Sequence, residues 1–236
     1  MSTLYITATP IGNLEDITYR AVRVLTEVDL IVCENVSESH RLLEKYNIKT
    51  STSVLHANSL ERDIDKFVAL LKSGKNLAYI SDAGTPCISD PGTALVRKVL
   101  EENKTLETPE ENINVVTVAG ASALTAAISI SGEFVGTTDK PVIFYGFVPH
   151  KKGRETLIKK ITLDEDSAHV MYESVHRIEK LLESLSKSLT ENRKVLVFRE
   201  LTKIYEEVIR GNATEVAKYF TDHQDKVRGE FVVMIN

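Results

Sequence analysis

Asn76-Leu77-Ala78-Tyr79-Ile80-Ser81-Asp82-Ala83-Gly84-Thr85-Pro86 is the stretch on which the architecture turns. Its first half is an apolar run of strand length, and it passes without a spacer into a loop that continues through Cys87-Ile88-Ser89-Asp90-Pro91-Gly92. Two glycines, two prolines and two aspartates in these twelve loop residues exceed what a simple strand-to-helix turn needs. Glycine lets a backbone approach a ligand closely, and proline fixes the shape of the loop. A rigid turn and a ligand-binding loop both fit this composition.

Working outward, short β-branched or apolar runs at 4–8, 29–33 and 54–55 precede it, and another at 113–118 follows. Helical spacing of apolar residues marks 16–25, 39–46, 60–72 and 93–101. Strand and helix therefore alternate, which predicts an α/β fold with a mostly parallel sheet covered by helices. Ligands of such sheets bind at the carboxyl ends of strands. The loops at 9–13, 34–39, 56–59 and 81–91 all follow strands and are expected along one edge. The polar, acidic segment 102–112 reads as a surface loop, and 119–132 as a loop leading into a tightly packed helix. Beyond it the alternation resumes, with strands at 142–147, 168–172, 194–199 and 230–235 and helices at 154–160, 177–189 and 213–220. Two domains, 1–118 and 119–236, are expected.

Hydrophobic residues make up 42% and charged residues 27% of the 236, the balance of a globular chain and not of a disordered one. No apolar run reaches the ~20 residues that span a bilayer, and residues 1–9 lack the pattern of a signal peptide. Cys33 and Cys87 form no paired framework, so a reducing cytoplasm is expected and a membrane partner is not. A net charge of −5 excludes a general nucleic-acid coat but leaves room for a local basic patch on RNA. No metal-ligand spacing occurs.

Other loops carry candidate chemistry. Thr9-Pro10-Ile11-Gly12-Asn13 has neither the glycine spacing nor the lysine of a phosphate loop, and Asp16 can cap the helix that follows. Tyr172-Glu173-Ser174-Val175-His176-Arg177 ends a strand, with Ser174 either a helix cap or one of several substrate contacts. In Arg199-Glu200-Leu201-Thr202-Lys203, Arg199 and Lys203 either pair with acids or contact phosphates. The turn His150-Lys151-Lys152-Gly153-Arg154 is either solvated or grips an RNA backbone.

Six segments, TPIGNLEDIT at 9–18, SDAGTPCISDPG at 81–92, FYGFVPHKKGR at 144–154, YESVHR at 172–177, RELTK at 199–203 and RGE at 228–230, occur in that order. Together they resemble ribosomal RNA small subunit methyltransferase I, a family of the tetrapyrrole-methylase superfamily, over nearly the whole chain. The resemblance implies two α/β domains, the second with a mixed sheet, a ligand cleft between them, and a homodimer. It implies S-adenosylmethionine as methyl donor, a cytidine ribose 2′-hydroxyl of small-subunit rRNA as acceptor, and no DNA partner. Pro10, Asp82, Ala83, Gly84, Thr85, Ile88, Ser89, Ser122, Ala123 and Tyr172 are the donor contacts it implies. Glu34, Glu173 and Glu200 are the carboxylates available as a base, and Lys151, Arg154, Arg199 and Lys203 the cations available to RNA phosphates. The sequence departs from the family at Asn35-Val36-Ser37, where Asp-Thr-Arg is usual. It departs again at His56-Ala57-Asn58-Ser59-Leu60 and at Ala119-Gly120-Ala121, and it stops at Asn236 without the extension of many members. A small-molecule methylase of the same superfamily, and a donor-binding RNA or ribosome partner without turnover, are the alternatives.

Overall fold

A computed structural model describes residues 2–105, 112–132 and 140–236. It divides the chain into two compact units, Met1–Ser122 and Ala123–Asn236.

In the first unit β1 (Thr3–Thr7), β2 (Leu30–Cys33), β3 (Thr52–Val54), β4 (Leu77–Ile80) and β5 (Asn114–Val118) form one sheet in the order β3-β2-β4-β1-β5. Every recorded pairing is parallel. The central strand β4 is buried at all positions, as a strand covered on both faces must be. Leu4, Val32, Leu77 and Tyr79 pack with Phe67, Val68 and Leu71 of α3 (Glu61–Lys72) and with Leu95 and Val99 of α4 (Gly92–Asn103). Ile31, Cys33, Ala78 and Ile80 pack with Ala21, Val24 and Leu25 of α1 (Tyr19–Glu27) and with Leu43 of α2 (Val36–Lys45). Alternate residues of β2 and β4 thus feed two cores, one on each face.

Helix starts differ from expectation where side chains cap them. Thr18 accepts the Ala21 N–H at 3.1 Å, so α1 begins at Tyr19 and not at Asp16. Leu14–Asp16 is a separate 3₁₀ turn, closed by the Asn13 side chain on the Glu15 N–H. Asn35 caps Ser37 and starts α2 at Val36, which shortens the expected 34–39 loop to Glu34 and Asn35. α4 continues to Asn103, so the helix takes the first residues of the expected 102–112 loop; residues 106–111 lie outside the described residues.

The second unit holds α5 (Ala123–Ser131), β6 (Val142–Phe147), α6 (Lys152–Leu163), β7 (Ala168–Ser174), α7 (Ile178–Ser188), β8 (Lys194–Arg199), β9 (Glu207–Asn212), α8 (Ala213–Asp222) and β10 (Glu230–Ile235). Its sheet runs β6-β7-β10-β8-β9, with β6 and β7 parallel and the other neighbours antiparallel. This is the expected mixed sheet. Leu157, Ile161, Leu181, Leu185, Val216 and Phe220 from its helices pack on Met171, Val197 and Val233. Ser174 belongs to β7, and Arg177, not Ser174, is the residue preceding α7.

Candidate active site

Parallel strands bring their carboxyl ends to one edge, and hydrogen bonds lace the loops there together. The Thr9 N–H donates to Gly84 O at 2.9 Å, and the Gly84 N–H to Pro10 O at 3.3 Å. Thr9 Oγ1 donates to Ser81 O at 3.3 Å, and Thr85 Oγ1 to Ala121 O at 2.9 Å. The loops after β1, β4 and β5 therefore form one backbone assembly. Gly84 is required in it: φ is +81°, and a Cβ would lie 2.9 Å from Ile11 Cγ2. Cys87 also adopts a left-handed φ of +69°, a strained conformation for a non-glycine residue. Gly84→Ala combines a left-handed alanine with overpacking on a buried isoleucine. We expect a loss of about 1–3 kcal/mol in denaturant unfolding; an unchanged midpoint would show that the loops are not held this tightly.

Of the residues expected to contact a donor in this unit, Pro10, Gly84 and Ser122 are buried and form the floor of the loops. Asp82, Ala83, Ile88 and Ser89 are exposed on them, and Thr85 is half-buried. The loop after β2 adds Glu34, whose Oε1 accepts the Asp82 N–H at 3.3 Å. Burial pushes the Glu34 carboxyl up to about 7, helped by the nearby charges of Asp82 and Asp90 and opposed by that hydrogen bond. Asp82 is also held above its usual range, first by burial and then by Glu38. A half-buried carboxyl poised near neutrality at a sheet edge can accept a proton at physiological pH.

In the second unit Ala123 opens α5, and Tyr172 Oη accepts the Leu124 N–H at 3.1 Å. Phe144 and Phe147 meet the Tyr172 ring edge-on, with centroids 4.9 and 5.5 Å away. Lys151 is exposed and Arg154 half-buried in the turn that starts α6.

The other four candidates in this unit are occupied by structural partners. Arg199 is 6% exposed. Its guanidinium donates to the carbonyls of Lys226, Arg228 and Tyr205 and pairs with Glu207, so it ties the end of β8. Lys203 bridges Glu200 and Glu230 at 2.8 and 2.9 Å. Glu200 Oε1 also accepts the Glu230 N–H at 3.0 Å. Partial burial raises the Glu200 carboxyl, but these hydrogen bonds outweigh it and hold it below its usual range, which suits a brace and not a base. Glu173, 2% exposed, pairs with Arg177 at 2.7 Å. What sequence reasoning missed is the tuning of Glu34, because the carboxylates around it come from separate loops.

The comparisons agree with this architecture. Residues 3–217 match the family model of the Tetrapyrrole (Corrin/Porphyrin) Methylases. A relative from Leptospira biflexa named ribosomal RNA small subunit methyltransferase I is 39% identical, covering 99% of this chain and 90% of its own. One of the same name from Thermotoga maritima is 39% identical over 100% of this chain and 99% of its own. The crystal structure of a diphthine synthase superposes with a TM-score of 0.69 over 99% of this chain and 89% of that one, at 14% identity, and so shares the fold. The chain belongs to the tetrapyrrole methylases and, within them, to the ribosomal RNA small subunit methyltransferase I family.

Proposed function

We propose that this protein transfers a methyl group from S-adenosylmethionine to the ribose 2′-hydroxyl of a cytidine in small-subunit ribosomal RNA, acting in the cytoplasm as a homodimer. The observation that carries the reading is the laced edge of the parallel sheet, found in a chain whose full-length relatives bear that enzyme's name. The edge suits the donor chemically. Gly84 and Gly120 keep backbones close, since a Cβ on Gly120 would lie 2.9 Å from Ala8 Cβ. The carboxylate of Asp82 beside them suits a ligand that carries positive charge.

Pro10, Asp82, Ala83, Gly84, Thr85, Ile88, Ser89 and Ser122 are the residues we assign to donor binding, and the same reading gives Ala123 and Tyr172 one contact each. When bound, S-adenosylmethionine supplies an activated methyl group on a sulfonium, so the protein's main task is alignment. We assign the hydroxyl proton to Glu34. Lys151 and Arg154 are left to hold RNA phosphates, since Arg199 and Lys203 are committed elsewhere.

Calorimetry with S-adenosylmethionine, followed by methyl incorporation into small ribosomal subunits lacking the modification, tests the proposal. Binding and transfer to a cytidine ribose are expected. Binding without transfer would favour a donor-binding ribosome partner or another acceptor, and no binding would leave the family fold without its chemistry.

A further inference from the structure

The turn that begins α6 is electrostatically awkward. Lys151, Lys152 and Arg154 crowd the first turn of a twelve-residue helix, where the backbone dipole already presents positive charge. Glu155 is the acid recorded there, no side chain caps the helix, and Lys151 sits in the left-handed region at φ +47°. Backbone hydrogen bonds from the Gly153 and Arg154 N–H groups to His150 O and Lys151 O close the turn at 3.1 and 3.0 Å, and a further anchor fastens it from outside.

That anchor is Arg177. Its Nη1 donates to Val148 O at 2.8 Å and lies 3.3 Å from His150 Nε2, fastening the chain just before the basic residues. Its Nε donates to Ser174 Oγ at 3.1 Å. Its Nη2 pairs with Glu173 Oε1 at 2.7 Å, and the same oxygen accepts the Ser174 N–H at 2.7 Å. Glu173 is 2% exposed, and its second oxygen, Oε2, has no hydrogen-bond partner among the described residues. Burying a carboxylate half-satisfied costs free energy that a neutral side chain of the same shape would not. The arrangement makes sense if the charge is kept to orient the guanidinium.

We propose that Glu173 is a positioning residue for the acceptor: through Arg177 it fixes the His150–Arg154 turn in the shape that contacts the RNA backbone. The inference rests on the proposed RNA reading and assigns Glu173 no part in proton transfer. Glu173 is 2% exposed, and Arg177 donates to Ser174, Val148 and Glu173.

Glu173→Gln keeps the shape and removes the charge, while Arg177→Lys keeps a charge and removes the fork. Both full-length variants are assayed for S-adenosylmethionine binding by calorimetry, for KM and kcat on unmodified small subunits, and for subunit affinity across a salt series. We expect donor affinity near that of the parent, and KM for subunits raised about tenfold with a smaller change in kcat. The slope of log affinity against log salt should flatten by about one for each phosphate contact given up. An unchanged slope in a folded variant overturns the proposal, as does a fall in kcat alone with loss of a pH-dependent limb, which would make Glu173 a base. If Glu173→Gln does not fold, Arg177→Lys decides by the same slope. A parent protein that neither methylates nor binds small subunits would instead overturn the RNA reading, an outcome visible before any variant is made.

Discussion

Glu34→Gln is expected to lower kcat for methyl transfer about 100-fold or more, the range for loss of a general base, while S-adenosylmethionine affinity changes little. Glutamine keeps the oxygen that accepts the Asp82 N–H but cannot take a proton. The parent's rate should rise with pH through about 7, because burial keeps Glu34 protonated and inactive as a base below that value. The variant's residual rate should be flat through the same window. A variant with parental kcat and the parental pH limb would remove Glu34 from the chemistry. Stability carries an independent sign. A carboxyl whose folded-state pKa is raised contributes stability below the usual carboxylate range and loses it as pH rises through about 7. Glu34→Gln should therefore melt higher than the parent at pH 8 and close to it at pH 4. Because the group is partly exposed, the shift is expected to be modest.

Gly92→Ala is expected to be the most damaging single methyl group in the first unit. A Cβ there would lie 2.2 and 2.6 Å from the Cε1 and Cδ1 atoms of Tyr79, a fully buried residue of β4 with no room to retreat. It would also press on Asp90 Oδ1 at 2.9 Å, the atom that accepts the Gly92 N–H and turns the chain into α4. Overpacking of this kind costs about 3 kcal/mol or more where neighbours cannot shift. Against a total stability of roughly 5–15 kcal/mol, that leaves a protein close to its threshold. Urea unfolding measures it. Tyr79→Leu in the same chain should recover part of the loss, a coupling that separates the clash from a helix-propensity effect. Independent, additive losses would sink the explanation.

The parallel sheet was legible because the strands at 30–33 and 77–80 are continuous apolar runs, which only a doubly covered sheet requires. The loops after β1 and β4 were legible from their glycine and proline content. The strand β9 was not expected at all. Its Glu-Val-Ile-Arg-Gly-Asn sequence mixes charge, glycine and apolar residues, and it pairs through its backbone at the edge of the sheet, where burial imposes little pattern. The start of α1 was misplaced because acid at Asp16 and hydroxyl at Thr18 are equally plausible caps until the backbone is seen to use Thr18. For Arg199 and Lys203 the sequence offered two readings, ion pair or phosphate. Their partners Glu207 and Glu230 come from other strands, and folding was needed to bring them together.

The order β6-β7-β10-β8-β9 places the last strand in the middle of the second sheet. Until Glu230–Ile235 has left the ribosome, β7 and β8 each lack the neighbour that both share, and the growing chain carries two separate fragments with open inner edges. Closing this sheet therefore waits on the strand that comes latest in it, and is slow relative to contacts between near neighbours in sequence. A chain cut before Glu230 would present those edges to other such chains, so a truncation there should yield aggregates and not a shortened enzyme.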